Sequence, residues 1–226
     1  MRALPVGRSA ELFEEDLTFL EAGLLAEPEA AGLAGQVAAL LEEGQALEQR
    51  RKALRRAQLQ RQAQAAALDG RLDEQLRALH ADALHAVKLD RKERAFATLF
   101  PENVHLTTRY ALRRQVQVAR GLVGRLGLGL LPQDLVDRHT AALGALLEQA
   151  QGILAAQEQL EMDLARLRLE LEDWKHDANA ARMHTYSQLL GMAAQRQQRR
   201  AWADRFFMPF PGSQDDDASD EPGDQG

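Results

Sequence analysis

Six histidines are the side chains here best suited to chemistry, because the 226-residue chain contains no cysteine and so neither thiolate ligands nor a cysteine nucleophile. A helical protein can hold a metal between carboxylates and imidazoles that project from facing helices, with Glu-x-x-His on two helices and a Glu on each of two others. No Glu-x-x-His occurs. Asp173 and His176 have the i, i+3 spacing, but His80 and His85 lie roughly 140° apart around a helix and cannot share a ligand face. His139 and His184 stand alone, and the histidines read as solvated or capping groups. The glycines of GLVGRLGLGLLP do not follow a strand, so they make neither a nucleotide fingerprint nor a P-loop. Sequence order picks out no Ser-His-Asp constellation. The expectation is a protein with no metal, no cofactor and no enzymatic activity.

Charge is the second resource. QRRKALRRAQLQRQAQ holds Arg50, Arg51, Lys52, Arg55, Arg56 and Arg61 with no acid, projecting nearly all round a helix. Such a segment either pairs with acids of another helix, such as Glu158, Glu161, Asp163, Glu170, Glu172 and Asp173, or contacts phosphate on nucleic acid or a membrane. Arg196, Arg199 and Arg200 form a second basic group. The last twelve residues contribute six acids, Asp215, Asp216, Asp217, Asp220, Glu221 and Asp224, and no base. The remaining acids then equal the 28 Lys and Arg, so the net charge of -6 resides in that tail. A neutral body argues against a dedicated nucleic-acid binder, which is usually basic, and favours internal pairing. The tail is too polar to fold, and disorder is expected over residues 208–226.

The third resource is aromatic. RQQRRAWADRFFMPFPGSQ concentrates Trp202, Phe206, Phe207, Met208 and Phe210 in a chain that is only 5% aromatic. Pro209 and Pro211 stop a helix, so the segment either folds back to cap its own bundle or serves as a docking peptide for a partner groove. On the docking reading, deleting residues 206–226 leaves melting intact and abolishes partner recovery. The acids that follow are repelled by anionic headgroups, which places a protein partner ahead of a membrane surface.

These groups need elements to position them. Alanine and leucine dominate and β-branched residues are scarce, so an all-α fold without sheet is expected. Ser9 precedes an acid-rich first turn and predicts a helix over about 10–25, behind an extension at 1–9. Pro28 starts a second, expected over about 28–98, in which Val37, Leu40, Leu47, Leu54, Leu68, Leu72, Leu79, Leu89 and Phe96 keep the three-four spacing of a coiled-coil seam. Gly44 and Gly70 are its weak points. LFPENVHLTTRY reads as a turn with apolar shoulders from Phe96 to Leu106, and Thr107 or Thr108 caps a third helix over about 107–126. Whether the chain reverses at GLGLLPQD or merely kinks is open. A fourth helix over about 133–205 carries the cleanest seam, including Val136, Leu143, Leu147, Leu160, Leu167, Trp174, Ala178 and Ala181.

Residues 37–54 and 143–160 share Ala-Leu-Leu-Glu at an offset of 106, the mark of a possible duplication. The N-terminus shows no apolar run for a signal peptide, and no stretch approaches the roughly 20 apolar residues of a membrane span. Together these predict a cytoplasmic, elongated antiparallel helical bundle over 10–207 with two very long helices. It acts as a structural or adaptor protein that binds protein partners, itself included. Two other classes stay open: a nucleic-acid-associated protein whose acidic tail competes for its arginines, and a helical protein that remodels membrane surfaces.

Overall fold

The computed structural model describes residues 3–102 and 104–209; Asn103, Phe210 and the acidic tail lie outside them. The described chain is all-α, and no strand occurs among these residues. Helix α1 spans Ala10–Ala26, and a 3-10 turn at Ala31–Leu33 leads into α2, Ala34–Ala86. Short helices α3, Arg94–Leu99, and α4, Val104–Thr107, precede α5, Leu112–Leu126. Helix α6 runs from Gln133 to Gln195 and the one-turn α7 from Ala201 to Asp204. Two compact units result, one built from the described residues up to Lys52 and those from Ala165 onward, the other from Ala53–Leu164. The division falls inside both long helices.

In the first unit α1 presents Phe13, Leu17, Leu20 and Leu24 to the core at helical spacing, all inaccessible to solvent. They pack with Val37 and Leu41 of α2 and with Trp174, Ala178 and Leu189 of α6. Each fully buried leucine contributes about 1.5–3 kcal/mol, so the α1 stripe fixes that helix although it is short. Ser9 caps it as the sequence predicts, accepting from the Leu12 N–H at 3.3 Å. The segment before it is no free extension. Leu4 is buried, and its backbone N–H and C=O both bond the Asn179 amide at 2.8 Å, while Lys175 Nζ donates to the carbonyls of Val6 and Arg8.

The second unit buries Leu68, Leu72, Leu76 and Leu79 of α2 against Val116, Ala119, Leu122 and Leu126 of α5 and Leu143, Leu147 and Ala150 of α6. Phe96 and Leu99 of α3 close one side. Within each unit α2 and α6 run antiparallel: Trp174 Nε1 donates to Leu40 O and Arg50 meets Glu170 in the first, and Arg71 bonds Gln149 and Gln75 meets His139 in the second. The α6 seam read from the sequence is the buried face throughout.

Four boundaries differ from the expectation. Helix α2 does not start at Pro28, which lies in a turn, but at Ala34, after the 3-10 turn at Ala31–Leu33. Helix α2 ends at Ala86 rather than near 98, because Lys88 and Leu89 take left-handed φ of 54° and 70° and the Leu89 N–H reaches back to Leu84 O at 2.8 Å. Leu89 therefore leaves the seam and is 63% exposed. Helix α6 stops at Gln195 by the same device, with Gln197 at φ 56° and the Gln198 N–H on Ala193 O. The third long segment starts at Leu112 and not at Thr107 or Thr108. Those hydroxyls bond backward to Val104 O and His105 O, completing α4, and α5 has Ala111 at its N-cap without a side-chain bond. Gly44 and Gly70 do not interrupt α2.

Candidate functional site

The aromatic segment proposed for docking lies in the core of the first unit. Once Gln197 turns the chain, α7 returns toward α1 and α6, and Trp202, Phe206 and Phe207 become buried, with Phe206 only 2% exposed. The Trp202 and Phe206 rings meet edge to face at 5.1 Å, and Phe207 meets Tyr186 at 5.5 Å. Phe206 Cδ1 would stand 3.3 Å from a Cβ on Gly23, so the α1 backbone is shaped to receive that ring. Met208 is half-buried, and Phe210 lies outside the described residues. As a docking peptide these rings are unavailable unless the unit opens.

The arginines divide. Arg50 pairs with Glu170 of α6, as internal pairing predicts, and Arg51 pairs with Glu48 at 3.0 Å on its own helix. Arg55 and Arg61 instead donate to Gln58 at 2.7 Å and Gln64 at 2.8 Å, which leaves their charges uncompensated. Lys52 is close enough to Glu14 to act against the rise of its pKa, which burial and Glu48 produce. Arg56 is exposed. In the second basic group Arg196 pairs with Glu29, Arg199 is exposed, and Arg200 donates to the Tyr186 hydroxyl at 2.9 Å with Asp204 at 3.8 Å. The nearby Arg205 lies over both the Trp202 and Phe206 rings. This group serves chiefly to hold the C-terminal turn.

Two polar sites escape a reading of the sequence. Asp16 and Arg182 form an ion pair at 2.5 Å with both side chains wholly buried, and Arg182 also reaches Asn179 at 3.3 Å. Burial raises the Asp16 pKa above the usual carboxylate value, and the Arg182 charge acts against that rise. His139, which the sequence reads as a solvated or capping group, is 3% exposed. Its Nδ1 faces Gln75 Nε2 at 2.8 Å and its Nε2 faces Asp82 Oδ2 at 2.9 Å. Both are long-range pairings, invisible to local spacing. No cluster of three or more metal-ligating side chains occurs among the described residues.

Two clefts remain. In the first unit an open groove of about 510 Å³ runs between α2 and α6, lined by Ala39, Leu40, Ala180 and Ala181 together with Glu43, Asp177 and His184. In the second unit a cleft of about 270 Å³ lies where α3 and α4 meet α5, at the LFPENVHLTTRY turn. Leu99, Phe100, Val118 and Leu122 give it apolar walls, and Arg114 and Arg125 of α5 border it. The shoulders predicted for that turn are buried at Phe96, Leu99 and Val104, but Leu106 is 52% exposed. No helix among the described residues is long and apolar enough to cross a membrane. Comparison with protein-family models, curated proteins and solved structures returns no match.

Proposed function

We propose that this protein is a non-enzymatic helical adaptor of the cytoplasm, and that it takes a partner helix, from another protein or a second copy, in the groove between α2 and α6 of the first unit. The observation that carries the reading is the alanine lining, Ala39, Ala180 and Ala181, whose small side chains let another backbone come close beside two acids, Glu43 and Asp177. An amphipathic helix with small apolar side chains on one face and Lys or Arg at its edges complements that surface. Met183, 44% exposed, follows Ala180 by one turn of α6 and extends the apolar strip. A chain without cysteine suits a reducing compartment.

The test places a photo-crosslinking benzophenone side chain at Ala180 and, as control, at Arg120 on the exposed face of α5. A discrete protein adduct from position 180, absent from 120 and removed by Ala39→Glu, supports the adaptor reading. Equal labelling from both positions, or an adduct indifferent to Ala39→Glu, overturns it.

A second reading rests on Arg55, Arg56 and Arg61, none of which forms an ion pair among the described residues. They supply cationic charge around α2 that can contact phosphates. Binding of duplex or single-stranded nucleic acid that weakens with salt, and weakens further in the triple Arg→Gln variant, supports this alternative; no shift at low salt removes it.

A further inference from the structure

The cleft in the second unit combines features that the adaptor reading does not use. Its walls are Leu99, Phe100, Val118 and Leu122, while Arg114 and Arg125 project from the same face of α5, three turns apart along the helix. Arg125 is half-buried, its Nε is enclosed without an acceptor, and its guanidinium forms no ion pair among the described residues. Enclosed donors in folded proteins nearly always have partners, so an unmatched Nε on a guanidinium that borders a cavity points to an acceptor there. Arg114 is steadied by stacking, its Cζ lying 3.7 Å above the Tyr110 ring centre. Tyr110 in turn donates to Glu102 at 3.4 Å, and Glu102 is the only acid among the cleft-lining residues. Two cations against one carboxylate leave the cleft positive. Gly121 borders it as well, and a Cβ there would lie 3.7 Å from the Arg125 guanidinium, so a larger side chain at this position reaches the cleft.

We propose that this cleft binds a small amphipathic carboxylate, its hydrocarbon or aryl body against Phe100, Val118 and Leu122 and its carboxylate on the Arg125 guanidinium. A carboxylate matches the fork of guanidinium donors in shape as well as charge, and a neutral head group does not. A cavity of about 270 Å³ suits a medium-chain fatty acid or an arylalkanoate rather than a nucleotide or a long lipid. The second half of the recognition is apolar, so a bare inorganic anion gains only the charge contact.

The test uses the full chain, with octanoate, octanol and inorganic phosphate as probes, read by saturation-transfer NMR and by calorimetry. The expected result is saturable octanoate binding at one site, with octanol and phosphate each weaker by about tenfold or more. Arg125→Met removes the charge while keeping an apolar stem; it should lower octanoate affinity by about tenfold and leave octanol binding and the helical circular dichroism unchanged. Gly121→Leu fills the cleft and should abolish binding of both. Equal affinity for octanoate and octanol, octanoate binding unaffected by Arg125→Met or by Gly121→Leu, phosphate binding as tight as octanoate, or no saturable octanoate binding overturns the proposal. Because the cleft and the α2–α6 groove share no residue, loss of octanoate binding with an intact Ala180 adduct separates the failure of this site from that of the adaptor reading.

Discussion

Trp174 lies against Gly44: a Cβ at that position would stand 2.8 Å from the indole Cε2, and the Trp174 Nε1–H donates to Leu40 O at 2.9 Å one turn away on α2. By helix propensity Gly44→Ala should gain up to about 1 kcal/mol. The methyl meets a ring pinned by its own hydrogen bond and by Phe13 at 6.0 Å, so overpacking wins. We expect Gly44→Ala to lose roughly 1–3 kcal/mol in chemical denaturation, and Gly70→Ala, where a Cβ meets nothing within 4 Å, to be neutral or stabilising. A stabilised Gly44→Ala would show that the ring is free to move.

Gly44 also illustrates what the sequence conceals. As a letter it signals a weak point in a helix; in the fold it is the site of closest approach to a tryptophan. The two long helices, the α6 seam and the Ser9 cap were legible because each depends on spacing within one segment. The ends of α2 and α6 were not, because Lys88 and Gln197 adopt left-handed backbone where glycine is the usual signal. The Asp16–Arg182 and His139 pairings join residues far apart in sequence. The aromatic C-terminus was found as a cluster, but composition could not tell a docking peptide from a cap. The cleft with Arg125 sits at the turn that drew attention for its proline and rings, although its two arginines come from the helix that follows.

The buried Asp16–Arg182 pair should behave as a unit. Removing either partner alone, Asp16→Leu or Arg182→Met, leaves an uncompensated buried charge and is expected to cost about 3–5 kcal/mol. The double variant Asp16→Leu with Arg182→Met restores an apolar contact and should recover most of that loss, a coupling a double-mutant cycle measures directly. Additive losses in the cycle would contradict the pairing.

Acidity acts through Asp16 in an unusual direction. Its pKa is raised in the fold, so between the ordinary value of 3.8 and the raised one the native state holds the proton that the unfolded chain has released. The contribution of this group is full below 3.8 and is lost as pH rises through the raised value, opposite to an ordinary salt-bridged carboxylate. His80 works the other way. Burial, with Arg91 and His105 nearby, lowers its pKa below 6.5, and its ring packs edge-on against Phe96 at 5.2 Å and Phe100 at 5.0 Å. The unfolded chain therefore binds the proton first, and stability falls as pH drops below about 6.5. Melting curves of the wild type and His80→Gln should diverge at neutral pH and converge toward acid; a constant offset would argue against the shift.

Truncation at the C-terminus provides the sharpest contrast with what the bare sequence suggests. The docking reading predicts that deleting residues 206–226 spares the fold, yet the deletion removes Phe206 and Phe207, which pack on Gly23 and Tyr186, and it leaves Trp202 without its edge-to-face partner. Phe206→Ala or Phe207→Ala should each cost about 3–5 kcal/mol, the usual loss for a buried ring, with unfolding of the first unit at a lower denaturant concentration. Deletion from Phe210 onward removes none of these contacts and should leave the midpoint unchanged. If both truncations melt alike, the aromatic cap contributes nothing to stability, and its rings are then free to serve a partner as the composition first suggests.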